Sequence, residues 1–544
     1  MSDYAIGIDT GGTCTDGVIV HLPSLTPLVA VKEATTHHDL SLGIGRCLAR
    51  LLWDSAIAPG QVGLVALSST LATNAVVEER GARVGLFVFG HVRHFKLPVV
   101  ANIFLKGGHT ITGEEDEPLD LEGLVDTLEG LREHVDAYAV CSAMSFVNPA
   151  HELVATEAIR LLDPKPVFCS HLVSEHAGMR ERAATACLHA RLMPLMEDFL
   201  RAIERAMSGA GLSCPLLLVR GDGQPVAAGE TVRQAAVTVA SGPASTAWFG
   251  AMHVTGDALV VDVGGTTTDI CLVRSGNPVM NEDGCRIGAW QTHVAAVDMY
   301  TAGAGGDSLV SLDSTGRLQL AVSRVQPLAM TPLAADPADW LGPEREGVLV
   351  LALPDAGEDD EVLAQLRLQG PATAASLARS CHLSGVALDH HLEGLRSRNQ
   401  VIVTGFTPTD ALHVLGRLQL GDSGRALGAA RRLAALAGLE PEELCRQVLA
   451  LVEERIAGHI IEYLMRRSWG DQAAAVLAGR LEDEVLRFAP SLKVPLVGIG
   501  AAARHLLPGV AERLHTTVSF PAHYEVGNAI GALRIALSRP SSAP

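Results

Sequence analysis

The stretch IGIDTGGTCTD at residues 6–16 decides the fold, because a second copy of its pattern, VVDVGGTTTD, occupies residues 260–269. Both copies fit D-x-G-G-T-x-T-D, led by Asp9 in the first and by Asp262 in the second. Their spacing is much too long for a solenoid repeat and is typical of two domains. The sequence therefore predicts two units of related local structure, each carrying one copy.

Apolar residues on both sides of each copy predict a strand, a tight glycine turn and a second strand. Glycine lets the backbone turn sharply and lets a ligand approach it, and turn N–H groups with threonine hydroxyls form a concavity suited to anions. We therefore predict phosphate binding at both turns; two plain structural hairpins are the alternative. The predicted contacts are Thr10, Gly11, Gly12, Thr13 and Thr15 in the first copy, and Gly264, Gly265, Thr266, Thr267 and Thr268 in the second.

The aspartate that leads each copy is the candidate for metal binding and catalysis. Asp9 and Asp262 follow apolar strand residues, and a carboxylate there can bind Mg²⁺ directly or through water. We predict that both handle Mg²⁺ and orient water or a phosphoryl group; the alternative is that each only caps its own turn. Asp16 and Asp269 are expected to brace the hairpins. Facing each other across a cleft, the two turns would bind one polyphosphate from both sides.

The composition predicts a folded protein of more than one domain. A chain of 544 residues exceeds what one core usually supports, and 48% hydrophobic with 19% charged residues argues against disorder. The net charge of −19 disfavours nucleic acid or an anionic membrane as the main partner. No secretory leader or membrane-length apolar run is visible, and the ten cysteines form no C-x-x-C pair. We therefore expect a cytoplasmic protein with reduced thiols.

Alternating strand and helix patterns along most of the chain predict an α/β fold. Between residues 360 and 406 the pattern changes to helix, helix, turn, helix and strand, which resembles a winged-helix module. Its third helix balances two arginines against Asp389 and Glu393, so we expect a structural insertion or a partner surface rather than DNA binding. The expected segments are 1–175 as an N-terminal lobe, 176–255 as a helical connection, 256–330 with 405–544 as a C-terminal lobe, and 331–404 as the insertion.

A third glycine turn, VGIGAAA at residues 497–503, follows a strand and precedes a helix. A neutral loop of small residues can lie flat against a base or a ribose. Gly498, Gly500 and Ala501 are therefore candidate nucleotide contacts. Ordinary packing of a helix on a strand is the alternative.

The segment NPAHE at residues 148–152 offers Asn148, His151 and Glu152 after a buried strand. An imidazole beside a carboxylate can act as a general base or bind a metal. We therefore treat His151 and Glu152 as catalytic candidates and Asn148 as a candidate substrate contact. The alternative is that Asn148 forms a turn and Glu152 starts a helix.

Two phosphate hairpins with a C-terminal glycine turn resemble the actin, Hsp70 and sugar-kinase superfold. More narrowly, the sequence resembles the hydantoinase A and 5-oxoprolinase family over most of its length. It departs from the family at Leu67 and Ser68, where the family has His-Gly, and at Asp307, which interrupts a glycine loop. The matching segments, in order, are IGIDTGGTCTD, STLATNAVVEERGARVGL (69–86), NPAHE, VSEHAGMRERAATACLHARLMP (173–194), SGPAS (241–245), VVDVGGTTTDI (260–270) and AGAGGDSL (302–309).

The resemblance implies a two-lobed ATPase fold with a nucleotide cleft between the lobes, and ATP with Mg²⁺ as cofactors. It implies that Gly305 and Gly306 lie at the nucleotide and that Asn74, Glu175 and Arg180 reach the substrate. Roles in helix capping are the alternative for the last three. A hydantoinase B-type subunit is the implied partner, and a homo-oligomer is expected.

Three functions stay open at this point. The first is an ATP-dependent hydrolase that opens a cyclic amide, of the hydantoin or 5-oxoproline type, by phosphorylating its carbonyl oxygen. The second is a subunit of an ATP-dependent carboxylase that phosphorylates a ketone or bicarbonate. The third is a nucleotide-regulated interaction protein in which residues 360–404 present a partner surface.

Overall fold

The computed structural model describes residues 3–11, 14–24, 26–35, 40–77, 80–173, 177–281, 284–287, 290–332, 335–342, 347–354, 357, 360–398, 400–470 and 490–538. Over these ranges the chain forms 26 strands, 16 α-helices and five short 3₁₀-helices.

The strands are β1 Tyr4–Thr10, β2 Cys14–His21, β3 Thr26–Ala34, β4 Val62–Ser69, β5 Val84–Phe89, β6 Ala101–Leu105, β7 Ala137–Ser142, β8 Val167–Cys169, β9 Leu216–Val219, β10 Pro225–Ala227, β11 Ala258–Val263, β12 Thr268–Arg274, β13 Asn277–Pro278, β14 Met280–Asn281, β15 Arg286–Ile287, β16 Trp290–Gln291, β17 Ala296–Val297, β18 Met299–Ala302, β19 Ser308–Leu312, β20 Leu318–Arg324, β21 Gln326–Pro327, β22 Val348–Ala352, β23 Ala372–Thr373, β24 Val401–Gly405, β25 Leu496–Ile499 and β26 Val518–Ser519.

The α-helices are α1 Leu40–Ser55, α2 Leu71–Val77, α3 Leu121–Leu131, α4 Ala150–Leu162, α5 Met179–Gly209, α6 Ala228–Thr231, α7 Ser241–Ala251, α8 Pro337–Trp340, α9 Glu361–Gln369, α10 Ala374–Ser380, α11 Gly385–Ser397, α12 Pro408–Val414, α13 Ser423–Ala437, α14 Pro441–Trp469, α15 Ala503–Arg513 and α16 Gly527–Leu537. The 3₁₀-helices are Pro59–Gln61, Ser170–Leu172, Val232–Thr238, Leu328–Met330 and Tyr524–Val526.

The chain divides into two compact units. The first comprises residues 1–249, 278–298 and 528–544, and the second comprises residues 250–277 and 299–527. Strands and helices alternate in both, which confirms the predicted α/β class. All ten cysteines are free thiols.

The described part of the first unit contains two main sheets, of six and four strands, and the two-stranded sheets β14-β17 and β15-β16. The larger has the strand order β10-β9-β4-β1-β2-β3, in which β1 pairs antiparallel with β2 and parallel with β4, and β4 pairs parallel with β9. The smaller is parallel, in the order β6-β5-β7-β8. Its strands β5 and β7 are buried throughout, because VGLFVF and AYAVCS are the near-continuous apolar runs typical of covered parallel strands. Residues 179–209 form one long helix, α5, which contains Pro194.

The second unit repeats the strand arrangement around the first hairpin. Strand β11 pairs antiparallel with β12 and parallel with β25, which pairs parallel with β26, while β18 pairs antiparallel with β12. The order β18-β12-β11-β25-β26 thus matches β3-β2-β1-β4-β9 in both sequence of neighbours and direction. Both copies of the motif form the predicted strand–turn–strand, at the same place in two equivalent sheets.

Residues 348–405 have their own small core. Helices α9, α10 and α11 appear in the predicted order and pack with strand residues such as Val350 and Val401. Strands β21, β24, β22 and β23 form a four-stranded sheet in that order. Assignment of this segment to the winged-helix class stays a prediction, as do the four expected domain segments.

No helix in the described part of the chain combines the length and apolarity needed to cross a membrane.

Helix α16 lies on strand β1 so closely that one strand position must be glycine. A methyl group at Gly7 would overlap the carbonyl oxygen of Ala529 and lie 2.9 Å from Cγ of Leu533. We expect Gly7→Ala to lower the free energy of unfolding by about 1–3 kcal/mol, because a backbone atom cannot move aside as a side chain can. Urea unfolding followed by circular dichroism measures the change.

The matched control is Gly130→Ala, since Gly130 lies in helix α3 with no atom within 4 Å of the added methyl group. Alanine is a better helix former than glycine, so this control should be neutral or stabilising by up to about 1 kcal/mol. Equal effects of the two substitutions would contradict the close contact between α16 and β1.

Candidate functional site

The first hairpin turn is closed by one backbone hydrogen bond. The N–H of Gly11 donates to the carbonyl of Cys14 over 3.0 Å, at the point where β1 and β2 separate. Gly12 and Thr13, two of the predicted phosphate contacts, lie outside the described residues. The described residues of this turn are thus the two that close it, Gly11 and Cys14.

Asp9 is buried at the end of β1 and its carboxylate is held in place. The hydroxyl of Ser68 donates to Oδ1 of Asp9 over 2.6 Å, and Nδ2 of Asn528 lies 3.5 Å from Oδ2. A methyl group at Gly242, in the first turn of α7, would lie 3.8 Å from Oδ1. The carboxylate thus lies beside a helix N-terminus, where negative charge is favoured.

Three chain segments meet at the carboxyl end of β1. Asp9 stands opposite Ser68 in the parallel pairing of β1 with β4. The next residue, Ser69, exchanges two hydrogen bonds with Ser241: its N–H donates to Oγ of Ser241 over 3.1 Å, and that hydroxyl donates back to its carbonyl over 2.8 Å. Sequence reasoning gave Ser68 and Ser241 no role. The available sequence signals were the position of Ser68 at the end of the apolar run that forms β4 and that of Ser241 at the start of SGPAS.

The threonines of the first turn differ in their surroundings. Oγ of Thr10 is buried and has no hydrogen-bond partner among the residues that the structure describes. The hydroxyl of Thr15 pairs with that of Thr35 at 3.2 Å, and Thr35 donates to the carbonyl of Gly11 over 2.9 Å. Thr10 therefore offers an unused donor, whereas Thr15 braces the turn.

Asp16 has the geometry of the bracing residue that the sequence predicts. Its carboxylate forms an ion pair with Lys32 at 2.7 Å across β2 and β3. Burial raises the pKa of Asp16, and Lys32 opposes that rise.

The second hairpin turn closes in the same way as the first. The N–H of Gly264 donates to the carbonyl of Thr267 over 2.9 Å. Asp262 stands opposite Asp269, as Asp9 stands opposite Asp16 in the first copy.

The loop at residues 304–307 is fixed onto the second turn. The N–H of Gly306 donates to the carbonyl of Gly264 over 3.1 Å, and that of Asp307 donates to the carbonyl of Gly265 over 2.6 Å. A methyl group at Gly305 would lie 2.5 Å from the Gly265 oxygen. The hydroxyl of Thr268 donates to the carbonyl of residue 304 over 2.7 Å. Only glycine fits at position 305.

The third glycine turn also reaches the second hairpin. Gly500 has a φ of +87°, and a methyl group there would overlap Oδ1 of Asp262. Gly498 is buried in β25, where a methyl group would lie 2.5 Å from the ring of Phe520. Ala501 is exposed. The structure therefore brings the turns at 264–267, 304–307 and 499–502 together in the second unit, and Gly498 has contacts that packing explains.

Asp307 is the one acidic residue in the loop at 304–307, and it is mostly buried. Oδ1 accepts a hydrogen bond from the hydroxyl of Thr409 over 3.3 Å, and Oδ2 lies 3.7 Å from Nη2 of Arg324. A methyl group at Gly265 would overlap Oδ2. Burial raises the pKa of Asp307, while Arg324 and Thr409 lower it.

Asp410 holds the segment that carries Thr409. It forms a capping box with Thr407 at the start of α12, and its two oxygens accept four hydrogen bonds of 2.8–3.0 Å. The donors are the N–H groups of Leu328, Ala329 and Thr407 and the Thr407 hydroxyl. Burial nevertheless raises the pKa of Asp410 to about 6.

In the NPAHE segment, Asn148 acts locally. Its amide donates to the carbonyl of Gly113 over 2.9 Å, and its Oδ1 accepts from the N–H of Ala150 over 3.1 Å at the start of α4. These contacts are those of a turn that leads into a helix. A substrate contact by Asn148 stays a prediction.

His151 uses both ring nitrogens within the fold. Nδ1 accepts from the N–H of Gly108 over 2.8 Å, so the ring proton is on Nε2, which lies 3.0 Å from Oε1 of Glu115. The ring packs on His109 at 4.3 Å between centroids. Burial lowers the pKa of His109, and His151 lowers it further. A general-base role of His151 stays a prediction.

Glu152 is buried completely and is saturated with donors. Oε1 accepts from the N–H of Ser142 over 2.8 Å and from the hydroxyl of Ser170 over 2.6 Å. Oε2 accepts from the N–H and from Nδ1 of His171, over 2.9 and 2.6 Å. These contacts occupy the positions that a general base would offer to a substrate, so the catalytic role of Glu152 stays a prediction.

A buried arginine that sequence reasoning missed balances this carboxylate. Nη1 of Arg182 donates to Ser145 over 2.5 Å and lies 3.3 Å from the hydroxyl of Ser170, which itself donates to Glu152. Arg182 and Glu152 are both fully buried. The Arg-Glu-Arg run at the start of α5 was the only sequence signal, and it did not distinguish the buried arginine from its neighbour.

Three possible metal ligands lie near this network. Donor atoms of Glu152, Cys169 and His171 lie within 4.8 Å of one another. Glu152 is already saturated, and burial raises the pKa of the Cys169 thiol to about 11. We therefore assign no metal to this group.

The remaining predicted substrate contacts, Asn74, Glu175 and Arg180, stay predictions. Asn74 lies in α2, where its N–H donates to the carbonyl of Thr70 over 2.8 Å and its amide to the Thr70 hydroxyl over 3.3 Å. Arg180 is exposed in the first turn of α5. Glu175 lies outside the described residues.

Two family models match the chain. Residues 5–162 match the hydantoinase/oxoprolinase N-terminal region, and residues 182–538 match hydantoinase/oxoprolinase. The second match alone covers more than half of the chain.

Two curated proteins are similar in sequence. The caprolactamase subunit alpha of Pseudomonas jessenii is 28% identical over 358 residues, which cover 58% of this chain and 50% of that protein. The acetophenone carboxylase gamma subunit of Aromatoleum aromaticum is 26% identical over 368 residues, which cover 57% of this chain and 48% of that protein. The matched part therefore spans about half the length of these curated relatives.

Two solved structures share the fold. The nucleotide-free acetone carboxylase structure superposes with a TM-score of 0.69 at 17% identity, covering 98% of this chain and 70% of that chain. The ATP-dependent caprolactamase from Pseudomonas jessenii superposes with a TM-score of 0.63 at 21% identity, covering 97% of this chain and 70% of that chain.

The network around Glu152 yields a stability prediction. Glu152→Gln removes the charge that balances Arg182 and turns an NH₂ group toward two donors. Leaving a buried charge without its counterpart costs about 3–5 kcal/mol, and we expect the free energy of unfolding to fall by that amount. Denaturant unfolding monitored by fluorescence and circular dichroism measures it.

Glu157→Gln is the control, because Glu157 lies on the same helix with 68% of its side chain exposed. Its effect should stay within about 0.5 kcal/mol. If Glu152→Gln is as stable as this control, the carboxylate is not a structural acceptor and the catalytic hypothesis gains weight.

Proposed function

The chain belongs to the hydantoinase/oxoprolinase family, and from that premise we propose that it is an ATP-dependent hydrolase that opens a cyclic amide. The observation that carries the proposal is the duplicated glycine turn, closed by the same hydrogen bond at the same place in two equivalent sheets. Turns of this kind suit an anion, and two of them suit a polyphosphate. The two-lobed actin-like fold with a nucleotide cleft is part of the proposal.

The chemistry follows from the low reactivity of an unstrained amide. Transfer of the γ-phosphoryl group of ATP to the carbonyl oxygen gives an imidate phosphate with a good leaving group. Water then adds to the carbon and the C–N bond breaks, which leaves an acyl phosphate. A second water hydrolyses the acyl phosphate to the carboxylate and inorganic phosphate, so that one ATP and two waters are consumed per ring opened. The protein mainly has to position the reactants and balance charge at the transferred phosphoryl group.

The residues present fit a nucleotide. Oγ of Thr10 is a buried donor beside the first turn, and the glycines at 305 and 500 let two further loops pack closely against the second turn. We propose that amides of both turns donate to phosphate oxygens and that Thr10 donates to one of them. In the second unit the loop at 304–307 and the turn at 499–502 would complete the nucleotide contacts.

Asp9 and Asp262 fit Mg²⁺, because each carboxylate lies at a strand end beside a phosphate turn. A bound Mg²⁺ would neutralise phosphate charge during transfer. Ser68 and Asn528 would keep the Asp9 carboxylate aimed at the turn.

The sequence relatives support the cyclic-amide class. The Pseudomonas jessenii protein is named a caprolactamase subunit, and caprolactam is a cyclic amide. The acetophenone carboxylase relative supports a second candidate function, that of a subunit of an ATP-dependent ketone carboxylase. Both relatives are named as subunits, so we propose that a hydantoinase B-type partner completes the enzyme. Location in the cytoplasm and homo-oligomerisation belong to the same proposal.

A phosphate-release assay distinguishes the two candidates. The purified chain, with ATP and Mg²⁺, is incubated with hydantoin, 5-oxoproline, caprolactam or acetone, each with and without bicarbonate. We expect release to be stimulated by a cyclic amide without bicarbonate, because water is the only other reactant. Stimulation that requires both acetone and bicarbonate would replace the amidase by the carboxylase. Nucleotide binding without stimulated phosphate release in any mixture would contradict both the amidase and the carboxylase activity for the chain alone. The assay would then be repeated with the partner subunit.

Removal of one predicted Mg²⁺ carboxylate should stop turnover without unfolding the protein. We expect Asp262→Asn to lower stimulated phosphate release by about 100-fold or more, because the amide binds a divalent cation poorly. Its melting temperature should remain near that of the wild type. Asp257→Asn is the control, since Asp257 precedes the same strand at its other end and pairs with Arg274. Unchanged turnover in Asp262→Asn would remove this residue from the mechanism.

A further inference from the structure

The loop AGAGGDSL at residues 302–309 contains one charged residue, and that residue touches the second phosphate turn. The N–H of Asp307 donates to the carbonyl of Gly265, and a methyl group at Gly265 would overlap the Asp307 carboxylate. A negative charge therefore lies against the backbone that, under the proposed function, binds phosphate.

The fold neutralises this charge only weakly. Nη2 of Arg324 lies 3.7 Å from Oδ2, beyond hydrogen-bond distance. The Thr409 hydroxyl lies 3.3 Å from Oδ1 but is closer, at 2.9 Å, to the carbonyl of Gly306. Asp410, which directly follows Thr409 in the chain, accepts four hydrogen bonds of 2.8–3.0 Å. Among the described residues Asp307 has no comparable set of donors, so a purely structural role explains it poorly.

We propose that Asp307 makes nucleotide binding depend on a divalent cation, an inference that rests on the proposed function. The carboxylate repels a metal-free polyphosphate at the second turn, because two like charges at short range in a mostly buried site interact strongly. Mg²⁺ bound to the phosphates removes that repulsion. Asp262, in the second hairpin, contributes a second negative charge near the phosphates, and the cation offsets the repulsion from this charge as well. Asp307 thus selects the Mg²⁺ complex of the nucleotide over the free anion.

The test measures ADP binding by titration calorimetry, once in excess Mg²⁺ and once in EDTA. The wild type should bind ADP more tightly in Mg²⁺. Asp307→Asn should bind ADP in EDTA about tenfold more tightly than the wild type does, with a smaller change in Mg²⁺, so that the ratio of the two dissociation constants falls. Asp389→Asn, which removes one exposed charge on α11, should leave the ratio unchanged.

Asp307→Gly gives the same comparison with a residue that suits a glycine loop, and it replaces Asp307→Asn if the asparagine variant does not fold. An unchanged ratio in whichever variant folds overturns the inference but leaves nucleotide binding intact. An equal fall in Asp389→Asn also overturns it, because the effect would then be one of net charge. Absence of ADP binding by the wild type in both media overturns the proposed function itself, so the two failures are distinguishable.

Discussion

A tight turn between two antiparallel strands, closed by one backbone hydrogen bond, is the constraint on which the proposed site depends. The bond from Gly264 to Thr267 leaves the two residues between them outside the strand pairing. Backbone groups that strand pairing does not use need other partners, and an anion is a suitable one. The same strand fixes the carboxylate of Asp262 two positions earlier. The proposed phosphate and cation sites therefore depend on a single local geometry, which occurs twice.

The sequence sufficed to predict this geometry because every requirement is local. Alternating apolar residues specify the strands, and paired glycines allow a turn that other residues would strain. The convergence of the loops at 304–307 and 499–502 on the second turn could not be read in that way. It depends on contacts across 306 − 264 = 42 residues in one case and 500 − 262 = 238 residues in the other, and only the resemblance to a family suggested that these segments share a site.

The NPAHE segment shows what residue type alone leaves undecided. A histidine beside a glutamate has the chemistry of a base or a metal site, and the sequence could not decide between that and a helix start. The structure surrounds Glu152 with donors from Ser142, Ser170 and His171, and balances it with Arg182. These partners come from separate strands and helices, so no spacing rule could have revealed them.

Acidic residues in this chain can be ranked by how fully the fold satisfies them. Glu152 and Asp410 each accept four hydrogen bonds, and their charge is consumed in holding backbone segments together. Asp307 has one shared hydroxyl and a distant arginine, so its charge remains to act on whatever approaches the second turn. A carboxylate that the fold leaves poorly compensated costs stability, and its interaction with a cation-bearing ligand offsets that cost only when the ligand is present. The loop at 304–307 is thus where binding and stability should be coupled most strongly.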